Sequence, residues 1–172
     1  MSNLYEFFYK NFWNIFFGSL LAFSIAVILS ALVIDSLLGY EPCILCLYER
    51  IPYILISLIS FASFFYATKV KRILLQLCCL CAFSGAGIAI YHVGVEKTWW
   101  HPSSKCVPDT NFGEIDSLEE FKNKLQSSKL GDCSKPALKI LSFSLAELNL
   151  MMSLLMLFVF IIIITKNAKT NL

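Results

Sequence analysis

The sequence predicts an all-α integral membrane protein, a bundle of four spanning helices with one long hydrophilic outer loop, and three observations predict it. Of 172 residues, 58% are hydrophobic and 15% charged, against about 45–50% and about a quarter in a soluble domain. Mean hydropathy is +0.70. The apolar residues gather into four blocks, and crossing a hydrocarbon core of about 30 Å takes about 20 residues each time. Four crossings use about 80 residues and leave about 90, which excludes a large soluble catalytic domain. A net charge of +2 provides no basic footprint, so nucleic acid is not an expected partner.

The first span is expected over about residues 12–38, with Asp35 its only charge. It is too long, and lacks too clearly a small-residue cleavage site, to be a signal peptide. The second covers about 51–67, where Pro52 is acceptable as a first-turn residue. Lys69, Val70, Lys71 and Arg72 follow it. The third, about 73–95, carries Ala82, Gly85, Ala86, Gly87 and Ala89, small residues that let helices approach closely in lipid. The fourth covers about 144–165, with Ser144 and Glu147 spaced as a capping box. The connections of interest are about 39–50 and 96–143 in a single membrane domain, residues 1–172. Four crossings put both termini on one side. Lys and Arg number six there and eight on the other face, which does not fix orientation, although their density at 69–72 favours termini inside.

The long connection balances seven acids against seven lysines. Within it, Ser117 and Glu120 form a second capping-box spacing, and Leu118, Phe121 and Leu125 share a helical face. That pattern fits a helix lying on the membrane surface or one packed on its own domain.

Seven cysteines divide into three sets. Cys43-Ile-Leu-Cys46 follows Pro42 at an expected helix start, where N–H groups and the positive dipole end favour a thiolate, the species that attacks disulfides. Arg50 falls four residues after Cys46, on the same face if the helix already begins at Cys43. A structural disulfide or half a metal site is the bland reading of this pair. No metal site is expected, because zinc normally takes four ligands. Cys106 and Cys133 sit near the two ends of the long connection and read either as a loop-closing disulfide or as a second exchanging pair, in an oxidising compartment. Cys78, Cys79 and Cys81 lie inside the third span, where a thiolate is costly, and read as small apolar fillers. His92, near the outer end of the third span, lies at the depth of Arg50 and reads first as a structural histidine. Tyr91 and Trp99 fit interface aromatics, Glu147 a cap and Asp35 a polar contact.

Glu41-Pro-Cys-Ile-Leu-Cys-Leu-Tyr-Glu-Arg50, followed by Tyr91-His92, Cys106 and Gly131-Asp-Cys133, resembles the DsbB family of disulfide bond formation proteins over the whole chain. The resemblance implies a quinone-dependent protein dithiol:disulfide oxidoreductase of the bacterial inner membrane, with cytoplasmic termini and periplasmic cysteine loops. Cys43 and Cys46 would pass electrons to ubiquinone or menaquinone, Cys46 facing the ring. Cys106 would take a mixed disulfide with a DsbA-like thioredoxin-fold partner, and Cys133 would complete exchange with Cys43. Arg50 and His92 would stand at the quinone. Where relatives often carry Trp near the start of the fourth span, this chain reads Ala146-Glu-Leu-Asn149, which loosens that helix's role at the quinone. Two other readings are weighed. A vitamin K epoxide reductase-like enzyme places its quinone-side pair after the loop pair, the reverse of the order here. A soft-metal thiolate transporter needs ligands along a path, and Met1, Met151, Met152 and Met156 are too clustered to supply them.

Overall fold

A computed structural model describes the backbone of residues 2–37, 39–103, 106, 131–136, 138–140 and 142–169. The expected surface helix around 117–125 lies outside the described residues. Helix α1 spans Ser2–Leu37, α2 Ile44–Ala62 with a 3₁₀ turn Ser63–Phe65 continuing it, α3 Thr68–Glu96 and α4 Leu145–Lys169. A two-stranded antiparallel ribbon, β1 Lys139–Ile140 and β2 Phe143–Ser144, leads into α4. The stretches Asn11–Leu37, Ile44–Phe65, Val70–Glu96 and Leu145–Lys166 are long and apolar enough to cross a membrane. The fold is an all-α four-helix membrane bundle. Between 17% and 33% of the most apolar stretch of each helix is buried within the protein, so the outward faces, with Leu29, Leu58, Phe83 and Phe158, are the apolar ones. Lipid is the medium that solvates such a surface without the cost water would impose.

The second helix starts at Ile44, seven residues before the expected Ile51. Cys43 is its N-cap, so the Cys-x-x-Cys segment is the first helical turn, at the helix start expected after Pro42, and α2 takes in most of the connection expected over about 39–50. Pro52 is therefore an interior residue of α2 and not a first-turn one. Its missing N–H leaves no donor for the Tyr48 carbonyl, and its ring is accommodated at a helix crossing. A Cβ on Gly85 of α3 would lie 3.3 Å from the Pro52 ring carbons, so glycine provides the notch that the proline fills. Buried Ala82, Ala86 and Ala89 continue this close approach along α3.

One core cluster joins all four helices, through Phe17 and Leu20 of α1, Tyr53 and Ile56 of α2, Leu75, Cys78 and Ala82 of α3, and Met156 and Phe160 of α4. Among the described residues, polar ties join helices within the bundle, while buried Ser24 Oγ, Ser60 Oγ and Asn149 Nδ2 have no hydrogen-bond partner. The Tyr53 hydroxyl donates to Asn149 Oδ1 at 2.7 Å, and Lys71, in the early turns of α3, reaches Asn14 of α1. At the end of the bundle where α4 begins, its capping box is formed. Glu147 N–H donates to Ser144 Oγ at 3.1 Å and Ser144 N–H to Glu147 Oε2 at 2.9 Å. The same Glu147 pairs with Lys97 at 2.6 Å, fastening the end of α3 to the start of α4.

Trp100 folds back on α3, stacked on Tyr91 with ring centroids 6.0 Å apart and donating its indole N–H to the Tyr91 carbonyl at 2.8 Å. The indole occupies the space over Gly94, where an added Cβ would sit 2.0 Å from a ring carbon. Gly94→Ala should therefore expel Trp100. The check is Trp100 fluorescence in a Trp13→Phe, Trp99→Phe background, where the alanine variant should show red-shifted emission and an unshifted spectrum would contradict the packing.

Candidate active site

The start of α2 determines where the first sulfurs stand. Cys43 has extended backbone (φ −75°, ψ 167°) and accepts the Cys46 N–H at Sγ, 3.3 Å away, as an N-cap side chain does. Because Cys46 is in the first turn, its Sγ returns to within 3.0 Å of Cys43 Sγ. Arg50, one turn further on, points to α1 and pairs with Asp35 at 2.6 Å. Cys46, Arg50 and Asp35 line a cavity of about 350 Å³ between α1, α2 and α4, whose walls are mainly apolar, including Ile28, Ile34 and Met152.

The second pair reaches the first through backbone. Gly131 N–H donates to the Pro42 carbonyl at 3.2 Å, and Gly131 and Cys43 form a parallel bridge. A Cβ at Gly131 would be 2.5 Å from the Glu41 carbonyl oxygen, so only glycine allows this approach. Two residues on, the buried Cys133 makes side-chain contact with both Cys43 and Cys106, and its N–H donates to the Cys106 carbonyl at 3.2 Å. The four sulfurs thus stand in a row, Cys106, Cys133, Cys43, Cys46, with the last beside the apolar cavity; all are free thiols. The contact with Cys43, together with burial, raises the pKa of the Cys133 thiol, and burial raises that of Cys106. Asp132, between Gly131 and Cys133, accepts from the Ser134 hydroxyl at 2.6 Å and backbone N–H at 2.9 Å, which lowers its pKa. Since the carboxyl is depressed in the folded state, these bonds support the turn above the ordinary carboxylate range and are lost as the pH falls through the lowered value.

His92 is placed differently from the expectation of a quinone-side residue. It is buried, does not line the apolar cavity, and instead turns Nε2 to Cys43 Sγ at 3.4 Å and Nδ1 to Glu49 Oε1 at 2.9 Å. Its position four residues before Glu96 also brings Nε2 within 3.9 Å of that carboxylate. Glu49 and Glu96 are the site residues that sequence reasoning missed. Glu49 stood inside the recognised block but was assigned to a loop, and helical phase from Ile44 is what turns it inward. Cys78, Cys79 and Cys81 lie on α3 away from this row, Cys78 in the bundle core.

A membrane bundle holding two cysteine pairs in line defines a class of thiol–disulfide proteins, and comparison places the chain within it. The family model for disulfide bond formation protein DsbB matches residues 13–163. The chain is 30% identical to an uncharacterized protein of Rickettsia prowazekii, covering 88% of this chain and 87% of that one. It is also similar to two proteins named disulfide bond formation protein B 1 from Pseudomonas fluorescens. With that of strain Pf0-1 it shares 30% identity (84% of this chain, 85% of the other), and with that of strain Pf-5 34% (72% of each). The chain belongs to the DsbB family. It is a multi-pass membrane protein of disulfide bond formation.

The raised thiols of Cys106 and Cys133 set a measurable reactivity. In the reduced, assembled protein, alkylation of both at pH 8 should be slower than in the denatured chain, that of Cys133 by at least about tenfold, since a raised pKa lowers the thiolate fraction. Mass-spectrometric timing of labelling checks this, and equal rates would contradict the buried arrangement.

Proposed function

We propose that the protein reoxidises a DsbA-like thioredoxin-fold partner and delivers the electrons to ubiquinone or menaquinone, in the bacterial inner membrane with the cysteine end facing the periplasm. The observation that carries this reading is the row of four sulfurs ending at an apolar cavity with an arginine inside it. Partner thiolate attack on Cys106 breaks the Cys106–Cys133 disulfide and frees Cys133. Resolution of that mixed disulfide by the partner's second thiol releases the partner as a disulfide and leaves Cys106 and Cys133 reduced. Cys133 next attacks Cys43, breaking Cys43–Cys46 and freeing Cys46, and Cys106 then displaces Cys43 to restore its own disulfide. Two electrons have then moved to the Cys43, Cys46 pair.

The cavity fits a quinone. Its walls are hydrocarbon, Arg50 provides fixed donors suited to a carbonyl oxygen, and Cys46 is the sulfur on its lining. A bound quinone accepts two electrons and two protons. Asp35 holds the Arg50 guanidinium against α1, and Glu49 holds the His92 ring, which in turn stands against Cys43. Energetics support an acceptor of this kind. A DsbA-type oxidant has a potential near −120 mV, and a glutathione poise near −200 mV falls short by roughly 4 kcal/mol for two electrons.

Purified full-length protein with quinone should oxidise the reduced partner catalytically, and Cys43→Ser or Cys46→Ser should lower turnover by more than about 100-fold. Turnover by either variant at the wild-type rate would overturn the mechanism. Arg50→Gln should raise the quinone KM about tenfold while the partner KM stays within about twofold. Comparing ubiquinone with menaquinone in the same assay identifies the preferred acceptor.

A further inference from the structure

The sulfur pair at the head of α2 has neighbours that thiol–disulfide exchange alone does not require. Cys43 Sγ, Cys46 Sγ and His92 Nε2 lie within 4.8 Å of one another, and Glu96 Oε1 lies 3.9 Å from that nitrogen. In a tetrahedral zinc site, with metal–sulfur about 2.3 Å and metal–nitrogen about 2.0 Å, sulfur and nitrogen stand about 3.5 Å apart and two sulfurs about 3.8 Å. The sulfur–nitrogen distance here is 3.4 Å, already within about 0.2 Å of that geometry. The two sulfurs, 3.0 Å apart, need to part by less than about 1 Å.

The surroundings fit too. Glu49 Oε1 stands 2.9 Å from Nδ1 of His92 while Nε2 faces the Cys43 sulfur, the carboxylate–histidine arrangement that supports metal-bound imidazoles. A second cavity, of about 170 Å³ and distinct from the apolar one, reaches the same three ligands and is lined by Glu41, Glu96 and Asp132, with Lys135 as its counter-charge. Three carboxylates against one lysine thus line the space beside two buried ligands, Cys43 and His92, and the half-buried Cys46.

We propose that the reduced Cys43–Cys46 dithiol, with His92 as third ligand and Glu96 as fourth, is a binding site for Zn²⁺ or Cd²⁺ that exists only in the dithiol state. Binding releases the two thiol protons and changes no oxidation state. The ion occupies both sulfurs and keeps Cys43 from Cys133, so it halts exchange with the protein held reduced. This site stands whichever acceptor takes the electrons.

The test is cadmium binding to the full-length protein in detergent, reduced or oxidised, followed by calorimetry and by sulfur-to-cadmium charge-transfer absorption. One ion per chain should bind to the reduced protein through this site, be lost in Cys46→Ser, and not bind there in the oxidised protein. His92→Ala should weaken it at least tenfold. His92→Cys should restore affinity and increase the charge-transfer absorption, a change that only direct ligation produces and that remains readable if the alanine variant fails to fold. Unchanged affinity in His92→Ala, equal binding to the oxidised protein, or no added absorption in His92→Cys overturns the proposal.

Discussion

The cysteine end of the molecule depends on one backbone junction, where Gly131 meets Pro42 and Cys43. Without it, Cys106 and Cys133 would belong to a connection of more than forty residues, with only chance encounters to bring them to α2. Closing a loop of that length costs conformational entropy that a pair of thiol contacts does not repay. A hydrogen-bonded bridge to the N-cap of a spanning helix does so with backbone groups that need partners in any case. The register of that bridge then assigns each sulfur its neighbour, because two residues after Gly131 is Cys133 and the residue bridged is Cys43.

Burial and reactivity are balanced at this junction. Cys43, Cys106 and Cys133 are all withdrawn from solvent, and the loop thiols resist ionisation, Cys133 through its contact with Cys43 and through burial, Cys106 through burial. A buried thiol is a poor nucleophile toward anything that arrives by diffusion, which protects the row from stray oxidants and from small thiols.

Much of this was legible in the chain. Four apolar blocks, the Ser144–Glu147 spacing and the small residues of α3 each carry their meaning locally, through length, capping chemistry and size. The two cysteine pairs were visible as pairs. What sequence could not convey was phase and partnership. Starting α2 at Ile51 assigned Glu49 to a loop, and starting it at Ile44 turns Glu49 inward to His92, forty-three residues away. Pro52 was the misleading signal, because a proline usually marks a first turn and here Gly85 on another helix makes room for it. The neighbours of His92, a sulfur and a carboxylate from α2, are set by helix packing that no local pattern encodes.

Pro52 has a mechanical side as well. The helical ladder of α2 lacks one rung between Tyr48 and Pro52, so the two turns above it, bearing Cys43, Cys46, Glu49 and Arg50, are joined to the lower helix more loosely than an unbroken ladder would allow. Below the break, α2 is clamped by the Gly85 notch and the Tyr53–Asn149 bond. Breaking and making sulfur–sulfur bonds changes their separation by an ångström or more, and the compliant upper turns can take up that displacement while the bundle in the lipid stays still.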